Sequence, residues 1–255
     1  MIDDYKTAEE FKEENGYTID GTWYPRVTKV VGIKSKPALL YYYAAMPNFH
    51  TAKNSIEEAA KEGTMVHEAA EAILLGKEPQ IPEMVAPAIA AFREFLALND
   101  IKTQPEFVER RIMSKDHRYA GTIDALATIG GKFGVLDIKT SQAIYRDYNL
   151  QTAAYTVALQ PEFENLETRW ILRIDQFQAC ERCHATRRTK GGRVKVRRNG
   201  SGFLCADWQH AWGLPKGDIE LKEVPFEYGD FEAFLGAKKL WEWENAEWLT
   251  KVGYL

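Results

Sequence analysis

Two strand-like runs, residues 119–129 and residues 133–138, lie on either side of Gly130-Gly131. Paired glycines accept the positive φ that a tight hairpin turn needs, so these runs are expected to fold back as neighbouring antiparallel strands. In so short a hairpin the turn sets the register, and positions equidistant from it face each other. Asp124 then sits opposite Asp137. Lys139 lies two residues beyond Asp137, so the period of a strand puts both side chains on one face.

Around this hairpin the hydrophobic period changes. Upstream, residues 17–31 read as extended, and Pro37 opens a helical stretch ending before Pro47. Ser55 and Glu58 have the spacing of a capping box, which predicts a helix running to Leu75 with a break near Gly63-Thr64 and closure at Gly76. Pro82 begins a further helix, with Ile89, Phe92 and Phe95 inward. Residues 107–112 read as a strand, residues 145–159 as a helix and residues 168–174 as another strand. A terminal helix is predicted with Asp230 as its cap, and with Phe231, Phe234, Leu235, Trp241, Trp248 and Leu249 in one buried stripe. This order predicts an α/β fold: a small central mixed β-sheet flanked by helices, in a single domain over residues 1–255. Residues 177–217, rich in Arg, Lys, Gly and Cys, read as an insertion within it.

Apolar residues make up 45% of the chain, enough for a real core, and no apolar run reaches membrane-spanning length. The N-terminus is acidic and lacks the layout of a signal peptide, so a cytoplasmic protein with three reduced cysteines is expected. A net charge of −4 argues against a binder that coats nucleic acid through a global positive field, and it makes a local basic cluster more informative.

Two aspartates facing each other in a half-buried site repel, and one takes up a proton unless a cation comes between them. A hard divalent ion, Mg²⁺ or Mn²⁺, resolves the conflict, and the Ile138 carbonyl can add another oxygen. The Lys139 ammonium can then stabilise charge on a reacting phosphate. An Asp-x-Lys triplet alone is common, and an ion pair at a strand end is its usual explanation. The ordered set is more informative: Gly63-Thr64-Met65-Val66-His67, then Gly121-Thr122-Ile123-Asp124, then Asp137-Ile138-Lys139, then Gln151-Thr152-Ala153-Ala154-Tyr155.

Over about residues 55–175 this set resembles the RecB-type branch of the PD-(D/E)XK nucleases, which includes phage and mitochondrial genome-maintenance exonucleases. The resemblance implies a restriction-endonuclease-like core acting on DNA in a bacterial or phage-infected cell. It implies one or two Mg²⁺ or Mn²⁺ ions on His67, Asp124, Asp137 and the Ile138 carbonyl, with Lys139 as the catalytic lysine. Gln151 and Tyr155 would complete the catalytic set, touching the DNA backbone or holding Lys139. Glu71 is a candidate for support, and Glu109 is either a further ligand or a plain surface charge. Some relatives carry a four-cysteine iron–sulfur cluster with one cysteine ahead of the histidine motif; this chain has none there, so no such cluster is expected. The activity implied is exonucleolytic cleavage in recombination, repair, replication or phage DNA processing. The alternatives are a site-specific or structure-specific endonuclease, and a non-catalytic nucleic-acid binder on a nuclease scaffold.

In the insertion, Cys180-Glu181-Arg182-Cys183 has knuckle spacing, and Cys205 with His210 makes a candidate four-ligand zinc site, His184 being the alternative fourth ligand. Arg187, Arg188, Lys190, Arg193, Lys195, Arg197 and Arg198 form a run without an acid. As a ribbon turning at Asn199-Gly200 it could follow a phosphate backbone; the alternative is a solvated hairpin. Trp208, Trp212, Trp23 and Tyr24 are candidates for base stacking, with packing the plainer explanation for each.

Overall fold

A computed structural model describes residues 5–198 and 205–255. The chain begins with helix α1 (Ala8–Asn15), capped by the Thr7 hydroxyl, which accepts from the Glu10 amide. A two-stranded hairpin follows, β1 (Gly16–Ile19) and β2 (Thr22–Pro25). The next segment departs from the extended expectation. Val27–Gly32 is a short helix, α2, because Val27, Val30 and Val31 at helical spacing are all buried. Tertiary burial outweighs the strand preference of these β-branched residues.

Helix α3 (Pro37–Ala44) buries none of its residues. Helix α4 runs from Phe49 to Leu74 without interruption, starting at Asn48, whose side chain accepts from the Thr51 amide. Ser55 is therefore inside the helix and caps nothing; its hydroxyl donates to the Gly191 carbonyl at 2.6 Å. Gly63 does not break α4. A methyl there would collide with the Thr140 hydroxyl, so this glycine allows close approach between the helix and the sheet. A short 3₁₀ turn (Glu83–Val85) leads into α5 (Ala86–Leu98).

The main sheet contains β3 (Ile101–Lys102), β4 (Val108–Ser114), β5 (Tyr119–Ile129), β6 (Lys132–Lys139), β7 (Thr168–Ala179), β8 (Thr186–Lys190), β9 (Arg193–Arg197) and β10 (Lys216–Pro225). Strand β5 pairs with β3, β4 and β6, and β7 pairs with β6, β8 and β10. Among the described strands of this sheet only β6 and β7 run parallel; the other pairings are antiparallel, so the sheet is mixed. The parallel pair needs a crossover, which is α6 (Asp147–Leu159). Gly130 and Gly131 have φ of +59° and +85°, as a two-residue turn with both central residues left-handed requires. The register from Ile129↔Lys132 to Ala125↔Leu136 is the one the turn predicts.

Helices cover both faces. On one side α1, α2, α6 and the C-terminal helices α7 (Tyr228–Glu244) and α8 (Ala246–Lys251) pack Phe11, Tyr155, Phe231, Phe234, Trp241 and Leu249 against Ile123, Leu126 and Val135. On the other, α4 and α5 pack Val66, Ala70, Ile89 and Phe92 against Ala125, Leu136, Ile138 and Leu172. The terminal stripe is thus divided between two helices. Asp230 is not the cap of α7, which begins after Glu227. Its carboxylate instead accepts from Arg169 at 2.8 Å, a fully buried guanidinium that also donates to the carbonyls of Asn149, Val224 and Pro225. Among the described residues no helix is long and apolar enough to cross a membrane.

Candidate active site

The hairpin delivers Asp124 and Asp137 to the point where β5 and β6 stop pairing. Beyond Ala125↔Leu136 the backbone ladder ends, and the Asp124 carboxylate takes over, accepting from the Ile138 amide at 2.5 Å. Its other oxygen lies 3.6 Å from His67 Nδ1 on α4. Burial alone would raise the Asp124 carboxyl, but His67, Lys139 and the Ile138 amide outweigh it and hold this group below the usual range. The His67 imidazole is half-buried, and its partial desolvation works against its charge, yet Asp124 keeps its pKa above the ordinary value.

Asp137 is almost fully buried. Its Oδ1 accepts from Lys139 Nζ at 2.9 Å and from Gln151 Nε2 at 3.0 Å. Its Oδ2 is 2.7 Å from Lys139 Nζ but not in hydrogen-bonding alignment, so this buried oxygen has no hydrogen-bond donor. Burial raises the Asp137 carboxyl to about 6; Lys139 pulls against the rise and Asp124 adds to it. Lys139, held by Asp137 and Asp124, stays protonated in spite of burial.

Helix α6 braces this pair from one face. Gln151 accepts from Lys139 Nζ at 3.3 Å and donates to the Tyr155 hydroxyl at 3.0 Å. Tyr155 is 2% exposed, so it faces the core and supports Gln151 and cannot reach a DNA backbone. Its ring explains Gly121, where a methyl carbon would sit 2.5 Å from Tyr155 Cε1. Tyr148, absent from the sequence expectation, places its ring 5.0 Å from Lys139 Nζ. The signal was present: Tyr148, Gln151 and Tyr155 follow the i, i+3, i+7 spacing of one helix face.

Glu109 falls between the pairs Val108↔Ala125 and Arg110↔Ile123, opposite Asp124, with a left-handed φ of +50°. Burial first, then the charges of Asp124 and Glu71, raises its carboxyl to about 7. Glu109 therefore belongs to the acidic centre electrostatically, and Glu71 is close enough to contribute.

The basic insertion reaches the same place from the other side. Strands β8 and β9 turn at Gly191-Gly192, with φ of +58° and +69°, a turn absent from the sequence expectation; the expected turn at Asn199-Gly200 lies outside the described residues. The turn rests on α4: Ser55 donates to the Gly191 carbonyl, and the Gly191 amide donates to Glu62 at 2.8 Å. The basic residues divide into two sets. Arg187 is held by Gln178 and lies over the Trp212 ring, Arg188 binds Asp175 at 2.6 Å, and Lys190 donates to the Thr140 carbonyl, next to Lys139. Arg193, Lys195 and Arg197 on β9 are exposed, and Arg193 lies over Tyr42 of α3. Arg198, also exposed, approaches Asp207 at 3.8 Å. Tyr42, Ala59, Gln142, Lys190, Arg193 and Lys195 line a cleft of about 350 Å³.

Cys180, Cys183, Cys205 and His210 come together, their ligating atoms all within 4.8 Å of one another. His184 is exposed on the preceding turn and is not part of this group. Of the four aromatic candidates, Trp23 and Tyr24 are buried and Trp212 stacks on His210. Trp208 is exposed.

No protein-family model matches the chain, and no curated protein matches it.

Proposed function

We propose that this chain is a divalent-metal-dependent DNA nuclease, an exonuclease of the RecB-type PD-(D/E)XK kind. The observation that carries the reading is the Asp124, Asp137 and Lys139 constellation at one end of the β5–β6 pair. There a buried carboxylate oxygen lacks a hydrogen-bond donor, and the carboxyl of neighbouring Glu109 is raised to about 7 by desolvation first and then by the negative charges of Asp124 and Glu71. A site with this excess of anionic oxygen fits a hard cation. Asp124, Asp137 and His67 would hold it with the Ile138 carbonyl, and Glu109 is placed to join them. A bound Mg²⁺ or Mn²⁺ would polarise a phosphoryl oxygen and make an attacking water more acidic.

The remaining work falls to the chain itself. Lys139, fixed by Asp137 and Gln151, offers a positive charge where negative charge grows on the phosphate. Gln151 spans Lys139, Asp137 and Tyr155, so it sets the position of both charged groups. The exposed cations of β9 and the cleft beside Thr140 supply phosphate contacts close to Lys139.

The test is digestion of end-labelled linear and circular DNA with Mg²⁺, Mn²⁺ or EDTA, using the wild type, Asp137→Ala and Lys139→Ala. The reading expects metal-dependent loss from the ends of linear DNA, abolished in both variants while DNA binding persists. Discrete cuts in circular DNA would replace the exonuclease with an endonuclease. Binding without cleavage under every metal condition would overturn the hydrolase and leave a nucleic-acid binder.

A further inference from the structure

Among the described residues, the insertion between β7 and β10 has almost no apolar core. Its buried apolar cluster consists of Cys180, Cys183, Ala185 and Cys205, with Trp212 packed partly against them. Three buried thiols and an imidazole thus occupy the place where a larger domain would put Leu, Ile and Phe. Short pieces of chain with so little core need another source of stability, and a structural metal is a common one.

The local geometry suits one ion. Cys180 and Cys183 flank a turn in which the His184 amide donates to the Cys180 carbonyl and His184 takes a left-handed φ of +60°. The returning segment is stitched to the same place: Cys180 bridges Trp212, and the Glu181 amide donates to the Ala211 carbonyl at 2.9 Å. His210 Nδ1 lies 3.5 Å from Cys183 Sγ, its ring stacks on Trp212, and its Nε2 is buried without a hydrogen-bond partner. A buried imidazole nitrogen left unpartnered is costly, and ligation or a hydrogen bond is its ordinary remedy. With Zn–S bonds of about 2.3 Å, tetrahedral ligand atoms stand about 3.8 Å apart, so a set already within 4.8 Å needs only small adjustments.

We propose that Cys180, Cys183, Cys205 and His210 form a structural zinc site that anchors the basic β8–β9 arm. All four positions are taken by protein, which leaves no place for a reacting water and makes the site structural and not catalytic. The arm is then fixed at two points. Its base leaves the zinc site through Ala185, whose carbonyl accepts from the Cys180 amide at 2.8 Å, and its turn sits on α4. The site stands whether or not the acidic centre is a nuclease.

The test uses the whole chain, purified under reducing conditions, reconstituted with Zn²⁺ and desalted. Metal analysis is expected to find one zinc per chain in the wild type, in Asp137→Asn and in His184→Asn, and well under half in Cys180→Ser and Cys205→Ser. Because a cysteine variant can fail to fold, a second measurement is made on the wild type alone. Titration with an organomercurial should release one zinc for three thiols, and trypsin should then cut within residues 186–198 many times faster. Cobalt substitution should give thiolate charge-transfer and tetrahedral bands. The proposal is overturned if the reduced wild type retains no zinc, if its zinc disappears in Asp137→Asn, or if mercurial titration of all three thiols leaves zinc bound.

Discussion

Tyr155→Phe isolates the support that α6 gives to Lys139. The ring is 2% exposed and packed against Gly121, and phenylalanine preserves its volume, so no cavity of consequence forms. What disappears is the hydroxyl that accepts from Gln151 Nε2 at 3.0 Å. One such bond contributes about 1 kcal/mol to stability. Gln151 keeps its bond to Asp137 and its contact with Lys139, so the lysine becomes looser without being lost. If all of that energy is felt in the position of Lys139 during reaction, the rate falls about fivefold, since 1.4 kcal/mol is tenfold. The assay is the initial rate of Mg²⁺-dependent nucleotide release from labelled DNA, measured beside thermal melting and beside Lys139→Ala. The expected result is a severalfold fall in kcat with KM nearly unchanged, far short of the loss in Lys139→Ala. A variant as inactive as Lys139→Ala would refute a supporting role for Tyr155. Unchanged rate and unchanged melting would refute the brace altogether.

Other consequences follow from the same geometry. His67 and Glu109 both hold protons more firmly than usual, Glu109 up to about 7, so a cation must displace protons to bind; Mn²⁺ affinity should weaken as pH falls from 8 to 6, read by calorimetry in two buffers of different ionisation enthalpy. Replacing Arg193, Lys195 and Arg197 together by glutamine should lower the slope of log affinity for DNA against log salt by about 3 while leaving the melting temperature within a degree or two, because all three are exposed. Asp230→Ala leaves the buried Arg169 guanidinium without its carboxylate. The cost should be about 3 kcal/mol, or roughly a 6 °C fall in melting temperature by calorimetry.

The parts of this molecule that could be read from sequence are those governed by short-range geometry. Gly130-Gly131 fixed the turn, the turn fixed the register, and the register put Asp124 across from Asp137 and Lys139 on the same face as Asp137. One helical turn likewise joined Gln151 to Tyr155. The misreadings are places where distant contacts decide local form. Val27, Val30 and Val31 are good strand formers, yet burial against other helices makes them helical. Ser55 followed by Glu58 imitates a helix start, but Asn48 supplies the cap and Ser55 serves the distant Gly191. Asp230 resembles a cap because its real partner, Arg169, is 61 residues away in sequence. In the basic arm, the turn at Gly191-Gly192 went unread, because it is set by the pairing of β8 with β9 and by its contact with α4. Tyr155 was legible as a partner of Gln151, whereas its burial was not, because that depends on the helices packed over it.

The most direct measurement is electron paramagnetic resonance of Mn²⁺ titrated into the Zn²⁺-reconstituted protein, comparing the wild type with Asp124→Asn and Asp137→Asn. The wild type should take up one or two Mn²⁺ per chain, and each variant should lose that uptake at least tenfold while melting as a folded protein. Equal Mn²⁺ binding by all three, or none by the wild type, would contradict an acidic metal centre at the end of the β5–β6 pair.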